Sequence, residues 1–340
     1  MTLFDALDDY QTETAIPPVS TPSEIPASPP KGSQQPQITP AELERAEKLG
    51  SKTFFLRVSF GLFGNSKKIP RGEVQVDADA ESISSNKRLL DSLELKAIRD
   101  ADAELMAALD LLCLPGFDKG YKFLPYAAFD KVHELLKGHR ARRPRLVEKF
   151  LAAYPRLCEE APNRLRAVYD PKDYPSTEEV RERFTFTYRY IQMDTPGKLA
   201  GLSQQAFEEE RDKAARTLTS AADEIDRFML STFAAMVERL KVSLTDGPDG
   251  KKKKLFDTAV TGLRDFMGTW DMRNVNNYAE LEAQINRARA VMAGIPDVDA
   301  LREVESLRAK VRGGMEEVSQ QLQAMVTAKP IRKFRADLED

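Results

Sequence analysis

The chain has 340 residues, of which 41% are hydrophobic and 31% are charged, and its formal net charge is −3. Residues 1–40 carry a net charge of −4, so the remaining residues carry a net charge of −3 − (−4) = +1. Proteins that coat nucleic acid are usually more basic, and no apolar run approaches the roughly 18 residues of a membrane span. The composition therefore argues against both of those classes.

The N-terminal residues 1–10 read MTLFDALDDY and place Leu3, Phe4 and Leu7 on one face of a short helix, opposite acidic residues. Two interpretations stay open. The segment is either an unordered chain end or a motif that folds as a helix on a partner, with Leu3, Phe4 and Leu7 as its anchors.

Residues 11–38 are rich in Pro, Ser, Thr and Gln and predict a disordered linker, because they contain too little apolar surface to offset the entropy of ordering. A single helical body is predicted over 39–330, since Thr39-Pro40 combines an N-cap with proline at the first helical position. Residues 331–340 form a predicted polar tail.

Two segments, 53–63 and 184–193, alternate between apolar and polar residues with the period of a half-buried strand. We expect the two strands to pair in one small antiparallel sheet, since each alone would leave apolar side chains and backbone groups unpaired. Val74 and Val76 predict a further brief strand. One face of the first strand collects most of its apolar residues: Phe54, Leu56, Val58, Phe60 and Leu62.

Helical periodicity follows the first strand. From about Asn86, apolar residues recur every three or four positions as far as Leu112. A second helical stretch covers about 126–160, with interruptions predicted near Arg143-Pro144 and Tyr154-Pro155, because proline disfavours helix in the residue before it.

Beyond Gly201 the chain reads as helix throughout, in segments over about 204–244, 256–270, 281–292 and 301–325. The pair Gly313-Gly314 predicts a kink or a close helix approach. The predicted fold is mainly α: an elongated multi-helix bundle of long amphipathic helices with a small antiparallel sheet of two or three strands.

Residues suited to catalysis or metal binding are few. His133 and His139 are six residues apart, on different helix faces, and are interpreted as solvated side chains. Cys113 and Cys158 show no paired spacing and read as free thiols of a cytoplasmic protein. No carboxylate pair stands out as general acid and base, so we predict no cofactor and favour a non-enzyme.

One basic feature is the stretch 137–149, which contains Arg140, Arg142 and Arg143 at the predicted helix break. Backbone amides of a following helix could add to an anion site there. The stretch reads either as a solvated turn or as a surface for nucleic acid or an acidic partner. Lys251 to Lys254 form a second, shorter basic run, interpreted as a solvated hinge with anion binding as the alternative.

The polar face of the predicted sheet is another candidate. Strand pairing with the apolar faces together would bring Arg57 and Arg189 to one side, among Ser59, Thr185 and Thr187. Such a face is usually wet or covered by a helix, but two arginines among hydroxyls could also hold a carboxylate or a phosphate.

The segments LRVSFGLFGNSKKI and VRERFTFTY resemble the signature stretches of an uncharacterised bacterial and phage family, a domain of unknown function. The similar positions are the alternating strand, Lys67-Lys68 after its turn, and Arg183-Phe184-x-Phe186-x-Tyr188. The resemblance would cover about 50–295.

Members of that family are often encoded beside MoxR-type AAA ATPases and beside cobaltochelatase-like or von Willebrand A-type proteins. The resemblance therefore implies protein partners in a phage or mobile-element setting, and it supplies no catalytic residues.

Two hypotheses follow from the sequence as a whole. The first is a non-catalytic helical adaptor that works with a MoxR-type AAA ATPase, and the second is a nucleic-acid-binding accessory protein.

Overall fold

The computed structural model describes residues 38–69, 85–116, 120–192, 200–246, 252–295 and 297–328. Contacts separate Met1–Gln37 from Ile38–Asp340, and the described residues belong to the second unit. Four predicted features lie outside the described residues: the N-terminal motif with Leu3, Phe4 and Leu7, the linker 11–38 apart from Ile38, the brief strand at Val74 and Val76, and the tail 331–340.

Nine α-helices form in the described residues, and the mainly α prediction is confirmed. The two longest, α5 and α3, have 41 and 37 residues. The helices are α1 (Pro40–Lys52), α2 (Leu93–Leu112), α3 (Phe129–Leu165), α4 (Thr177–Arg183), α5 (Gln204–Leu244), α6 (Asp257–Arg273), α7 (Ala279–Met292), α8 (Val298–Glu303) and α9 (Glu305–Ala328).

Capping residues fix several helix starts. Thr39 and Glu42 form a capping box at the start of α1, and Ser176 and Glu179 form another at the start of α4. At α5 the Ser203 hydroxyl accepts a hydrogen bond from the backbone amide of Ala206. Each cap gives a partner to amides that the helix itself leaves unbonded.

Six strands form in the described residues, more than the two or three predicted. A four-stranded antiparallel sheet has the order β4-β5-β1-β6, and β2 and β3 form a separate hairpin. The extra strands have two to five residues, too few to show an alternating pattern in the sequence. The strands are β1 (Thr53–Phe60), β2 (Ser66–Lys68), β3 (Asn86–Arg88), β4 (Leu114–Pro115), β5 (Tyr121–Pro125) and β6 (Phe186–Ile191).

The predicted pairing of the two long strands is confirmed, because β1 and β6 are antiparallel neighbours. Leu56 lies opposite Tyr190, and Phe60 lies opposite Phe186. Since opposite residues point to the same face, most apolar residues of both strands share one face of the sheet. On this face the side chains pack against the leucines of α2 and the inner side of α3.

Among the described residues, the other face of the sheet is covered only at one end. There Phe55, Leu114 and Phe123 are buried in a large cluster built mainly from α1, α5, α6, α7 and α9. Farther along β1, Arg57 and Ser59 are exposed. Half of this face is therefore open to solvent.

Helix α3 is continuous, so the predicted interruptions near Arg143-Pro144 and Tyr154-Pro155 are wrong. Pro144 and Pro155 are exposed, so the carbonyl groups left without an amide partner lie on the solvent side. The inner side of the helix carries Phe150 and Tyr154, which are buried in a second apolar cluster. That packing outweighs the two missing hydrogen bonds.

Two further boundaries differ from the prediction. Asn86 begins strand β3, and the helical pattern starts only at Leu93, after the Ser92 cap. The last helix is split at Val304 into α8 and α9, because Val304 adopts an extended backbone with φ of −95° and ψ of 101°. Val304 is 46% exposed, which fits a break on the outside of the molecule.

Gly314 makes the predicted close helix approach. A Cβ atom at Gly314 would lie 2.6 Å from Cγ2 of Val291 on α7, whereas nothing lies within 4 Å of one at Gly313. Helices α7 and α9 therefore touch at a point where only glycine fits.

Substitution of the two glycines should have opposite effects. We expect Gly314→Ala to lower the free energy of unfolding by about 1–3 kcal/mol, because the new methyl group clashes with Val291. Gly313→Ala should raise it by about 0.5–1 kcal/mol through helix propensity. Urea unfolding followed by circular dichroism measures both values. Equal changes would mean that α7 and α9 do not meet at this position.

A charge on the inner face of β6 should destabilise the fold. Phe186 packs against Phe60, with ring centroids 5.4 Å apart, so Phe186→Asp should lower the free energy of unfolding by about 2–4 kcal/mol. The neighbouring exposed change Thr187→Asp is the matched control, expected within about 0.5 kcal/mol of the parent. Similar effects at both positions in a urea titration would contradict the face assignment.

Candidate interaction surface at the edge of the sheet

Strand β6 is the outermost strand of the four-stranded sheet, with β1 as its neighbour among the described residues. The backbone amide of Gly61 donates to the carbonyl of Thr185 at 2.8 Å. Because hydrogen-bonded and non-bonded pairs alternate along an antiparallel ladder, Thr187 and Arg189 direct their backbone groups toward β1. Phe186, Tyr188 and Tyr190 therefore direct theirs outward, along an edge that is free among the described residues.

Arg57 and Arg189 lie directly opposite each other on the open face of the sheet, as the sequence predicts. Both side chains are exposed, and the next row along holds exposed Ser59 and Thr187. Arg57 donates a hydrogen bond from Nη1 to the Tyr121 hydroxyl at 3.3 Å and stacks on that ring. Among the described residues, Arg189 has no ion-pair partner.

A directly opposed pair of like charges destabilises a sheet by roughly 0.2–1 kcal/mol. The Arg57–Arg189 pair is exposed, so solvent reduces this repulsion without removing it. An anion between the two guanidinium groups would turn the repulsion into attraction. The open face is therefore suited to bind a negatively charged group.

The inner side of β6 is aromatic. Phe186, Tyr188 and Tyr190 are half-buried, and the Tyr190 hydroxyl lies 2.9 Å from Nδ1 of His133 on α3. The His133 ring also stacks on Phe129, with centroids 5.5 Å apart. His133 is therefore not the solvated side chain that was predicted; it helps to fix β6 on α3.

Two basic residues of α3 flank the free edge. Lys137 and Arg140 follow His133 by four and seven residues, so they share its side of the helix. The hydrogen bond to Glu134 raises the pKa of Lys137. We call the free edge of β6, together with Arg57, Arg189, Lys137 and Arg140, the edge surface.

The structure brings together only some of the predicted anion-binding residues. Arg57, Arg189 and Arg140 belong to the edge surface. Arg142 points to the other side of α3, where its Nη1 lies 2.8 Å from Oε2 of Glu104 on α2. Arg143 is buried, so it is not available to a ligand. The expectation that this stretch lies at a helix break is also wrong, since α3 runs through it.

Arg143 and His139 belong to a buried polar cluster around Asp102. Arg143 donates to both carboxylate oxygens of Asp102 and to the carbonyl of Gly61, and Nε2 of His139 lies 2.9 Å from Asp102 Oδ1. His139 is buried, which corrects the prediction of a solvated histidine. Because each charged group has its partners within the protein, this cluster is structural.

A second ion-pair cluster holds the β2–β3 hairpin. Lys67 and Lys87 are opposite each other in the hairpin, and their ammonium groups lie 2.8 and 2.7 Å from the two oxygens of Asp173. Lys87 also donates to the carbonyl of Val168 at 2.6 Å. Lys67 therefore has a structural partner.

The remaining candidate groups offer little chemistry. Cys113 and Cys158 are free, as predicted, and burial raises the pKa of Cys113 to about 12, so this thiol stays protonated. The described residues contain no cluster of three metal-ligating side chains. An open cleft of about 440 Å³ lies beside α1 and α5, but Arg45 on its wall already pairs with Asp223 and Asp226.

Sequence reasoning missed the outward-facing backbone of β6. The alternating pattern predicts a half-buried strand, but whether another strand covers its edge depends on the whole sheet. The strand order supplies that information.

Comparison of the chain with protein-family models, curated proteins and solved structures gives no match. The resemblance to the family encoded beside MoxR-type ATPases stays a prediction. No helix in the described part of the chain is long and apolar enough to cross a membrane.

The buried cluster predicts a pH dependence of stability. Burial lowers the pKa of His139 below its ordinary value, against the opposing attraction of Asp102. The folded chain therefore binds this proton less readily than the unfolded chain does. Stability should be full above about pH 6.5 and should fall as the pH drops below it.

The variant His139→Gln is the control, because its amide can still donate to Asp102 but does not titrate. The melting temperature should fall more steeply with decreasing pH for the parent than for the variant. Parallel curves would mean that His139 is not held neutral in the folded protein.

Proposed function

We propose that the chain is a non-catalytic interaction protein, an adaptor that binds a partner through the edge surface. The observation that carries this proposal is the outward-facing edge of β6, flanked by Arg189 on the sheet and by Lys137 and Arg140 on α3. Edge strands with free backbone groups bind extended segments of other chains, which add a strand to the sheet.

The contacts that hold β6 on α3 favour such binding. Tyr190 is hydrogen-bonded to His133, and the Phe186 ring packs on His139 with centroids 4.8 Å apart. His139 in turn is held by Asp102 in the buried cluster. The edge is therefore ordered before a partner arrives, which reduces the entropy lost on binding.

The family resemblance supplies the partner to test first, a MoxR-type AAA ATPase in a phage or mobile-element setting. Residues 1–10 are proposed as a second contact, with Leu3, Phe4 and Leu7 as apolar anchors on the partner. Two weak contacts in one chain bind more tightly than either alone when both can be occupied together.

A nucleic-acid-binding accessory protein is the second candidate, and one observation favours it. Arg142, Arg145 and Lys149 line a shallow groove on the side of α3 away from His133. Arg142 is already paired with Glu104, and Arg143 is buried, so fewer free cations line this groove than the sequence predicts. Affinity for nucleic acid would fall steeply with salt.

The proposal predicts that charge reversal on the open sheet face removes the partner. Affinity capture from the native host, followed by mass spectrometry, should recover an AAA ATPase with the parent chain. The double variant Arg57→Glu/Arg189→Glu should recover about tenfold less, since it replaces attraction by repulsion. Its melting temperature should match that of the parent, because both side chains are exposed.

The matched control is Arg142→Glu/Arg145→Glu, which makes the same charge change on the other side of α3 and should leave ATPase recovery unchanged. If this control alone loses partners, and those partners include nucleic acid, the second candidate is the better one. Changing Leu3, Phe4 and Leu7 to Ala tests the proposed second contact separately.

A further inference from the structure

We infer that the segment bound at the edge of β6 is an acidic peptide strand in which Asp or Glu alternates with apolar residues. This inference rests on the proposed function and names the chemistry of the partner at the same surface. It follows from the rows of side chains that an added strand would join.

The first step is the alternation of faces. In a sheet, residues directly opposite each other on neighbouring strands point to the same side. A residue opposite Arg189 would therefore join the row that contains Arg57 and Arg189 on the open face. Its neighbours, opposite Tyr188 and Tyr190, would lie on the aromatic face above α3. The two kinds of position alternate along the bound strand.

The open-face positions favour a carboxylate. The row at Arg189 contains two guanidinium groups and no acidic residue, and the next row contains the hydroxyls of Ser59 and Thr187. In an antiparallel added strand, the residue opposite Arg189 would form a non-hydrogen-bonded pair, in which Cα atoms approach to about 4.5 Å. A Glu or Asp side chain there would reach Arg189 directly and could extend toward Arg57.

The inner-face positions favour apolar residues. Tyr188 and Tyr190 are half-buried, with their rings 5.8 Å apart, and the Tyr190 ring packs beside Phe129 on α3. An apolar side chain opposite either tyrosine would cover the part of the ring that is still in contact with water. Arg140 borders this side and would also attract a negatively charged chain, whereas Lys137 is already paired with Glu134.

A peptide fits this surface better than a nucleic acid does. Phe186, Tyr188 and Tyr190 present both amide donors and carbonyl acceptors along the edge, and only another backbone of alternating donors and acceptors pairs with all of them. A phosphate backbone offers acceptors alone, so it would leave the outward carbonyl groups without partners.

The test uses the full-length chain and three dye-labelled synthetic peptides, with binding measured by fluorescence anisotropy. The first peptide alternates Glu and Val. The second has the same composition, with all Glu residues before all Val residues. The third alternates Lys and Val. We expect the Glu-Val peptide to bind at least about tenfold more tightly than either of the others.

A charge swap locates the contact. Arg189→Glu should weaken binding of the Glu-Val peptide by about tenfold and strengthen binding of the Lys-Val peptide. The new carboxylate would repel Glu side chains and attract Lys side chains. Arg145→Glu, with the same charge change on the other side of α3, should leave both affinities unchanged. Equal binding of the alternating and block peptides, or loss of binding in the Arg145 variant, would overturn the inference. The inference would also be overturned if a single-stranded oligonucleotide displaced the labelled Glu-Val peptide at a lower concentration than the unlabelled peptide requires.

Hydrogen exchange separates this inference from the proposed function. Binding of the captured native partner by strand addition should slow exchange at the amides of Phe186, Tyr188 and Tyr190 and leave Thr187 and Arg189 unchanged. If the native partner protects those amides but the Glu-Val peptide does not bind, the inference fails and the proposed function stands. If the native partner does not protect them, the proposed function fails, and the inference fails with it.

Discussion

The buried contact between Arg143 and Asp102 fixes the relation between α3, α2 and the sheet. Arg143 reaches Asp102 on α2 and the carbonyl of Gly61 at the end of β1, and it is 3% exposed. Removing one partner of a buried ion pair typically costs about 3–5 kcal/mol, because the other charge is left without compensation. This contact holds α3 under β6, and so it determines that His133, Lys137 and Arg140 lie beside the free edge.

Gly61 satisfies a second constraint at the same point. A Cβ atom there would lie 2.3 Å from the carbonyl oxygen of Arg183, so only glycine lets the end of β1 approach the start of β6 this closely. The approach sets the register, and the register places Arg57 opposite Arg189. The pairing of Arg57 with Arg189 is therefore a consequence of this packing. A neutral residue at either position would remove the repulsion. Local conflicts of this kind concentrate at functional sites.

Much of the fold could be predicted because the periodicities are strong, and the rest depends on contacts that one sequence does not display. The alternating strands identify β1 and β6 and their shared apolar face, including the approach of Arg57 to Arg189. The prolines of α3 led to a wrong prediction of helix breaks. Pro144 lies on the solvent side, and its effect on the helix depends on that orientation. The burial of Arg143 could not be predicted from the sequence either, because its partner Asp102 is 41 residues away.

The distribution of charge around α3 bears on the choice between the two proposed functions. A nucleic acid requires cations that follow its phosphates along one continuous surface, whereas the basic residues of 137–149 divide between two sides of the helix. Lys137 and Arg140 share the side of His133, which contacts Tyr190 of β6, and Lys137 is paired with Glu134. Arg142 faces α2 and is paired with Glu104. Only the first group lies beside free backbone groups, and this combination of backbone edge and positive charge is what an extended acidic peptide requires.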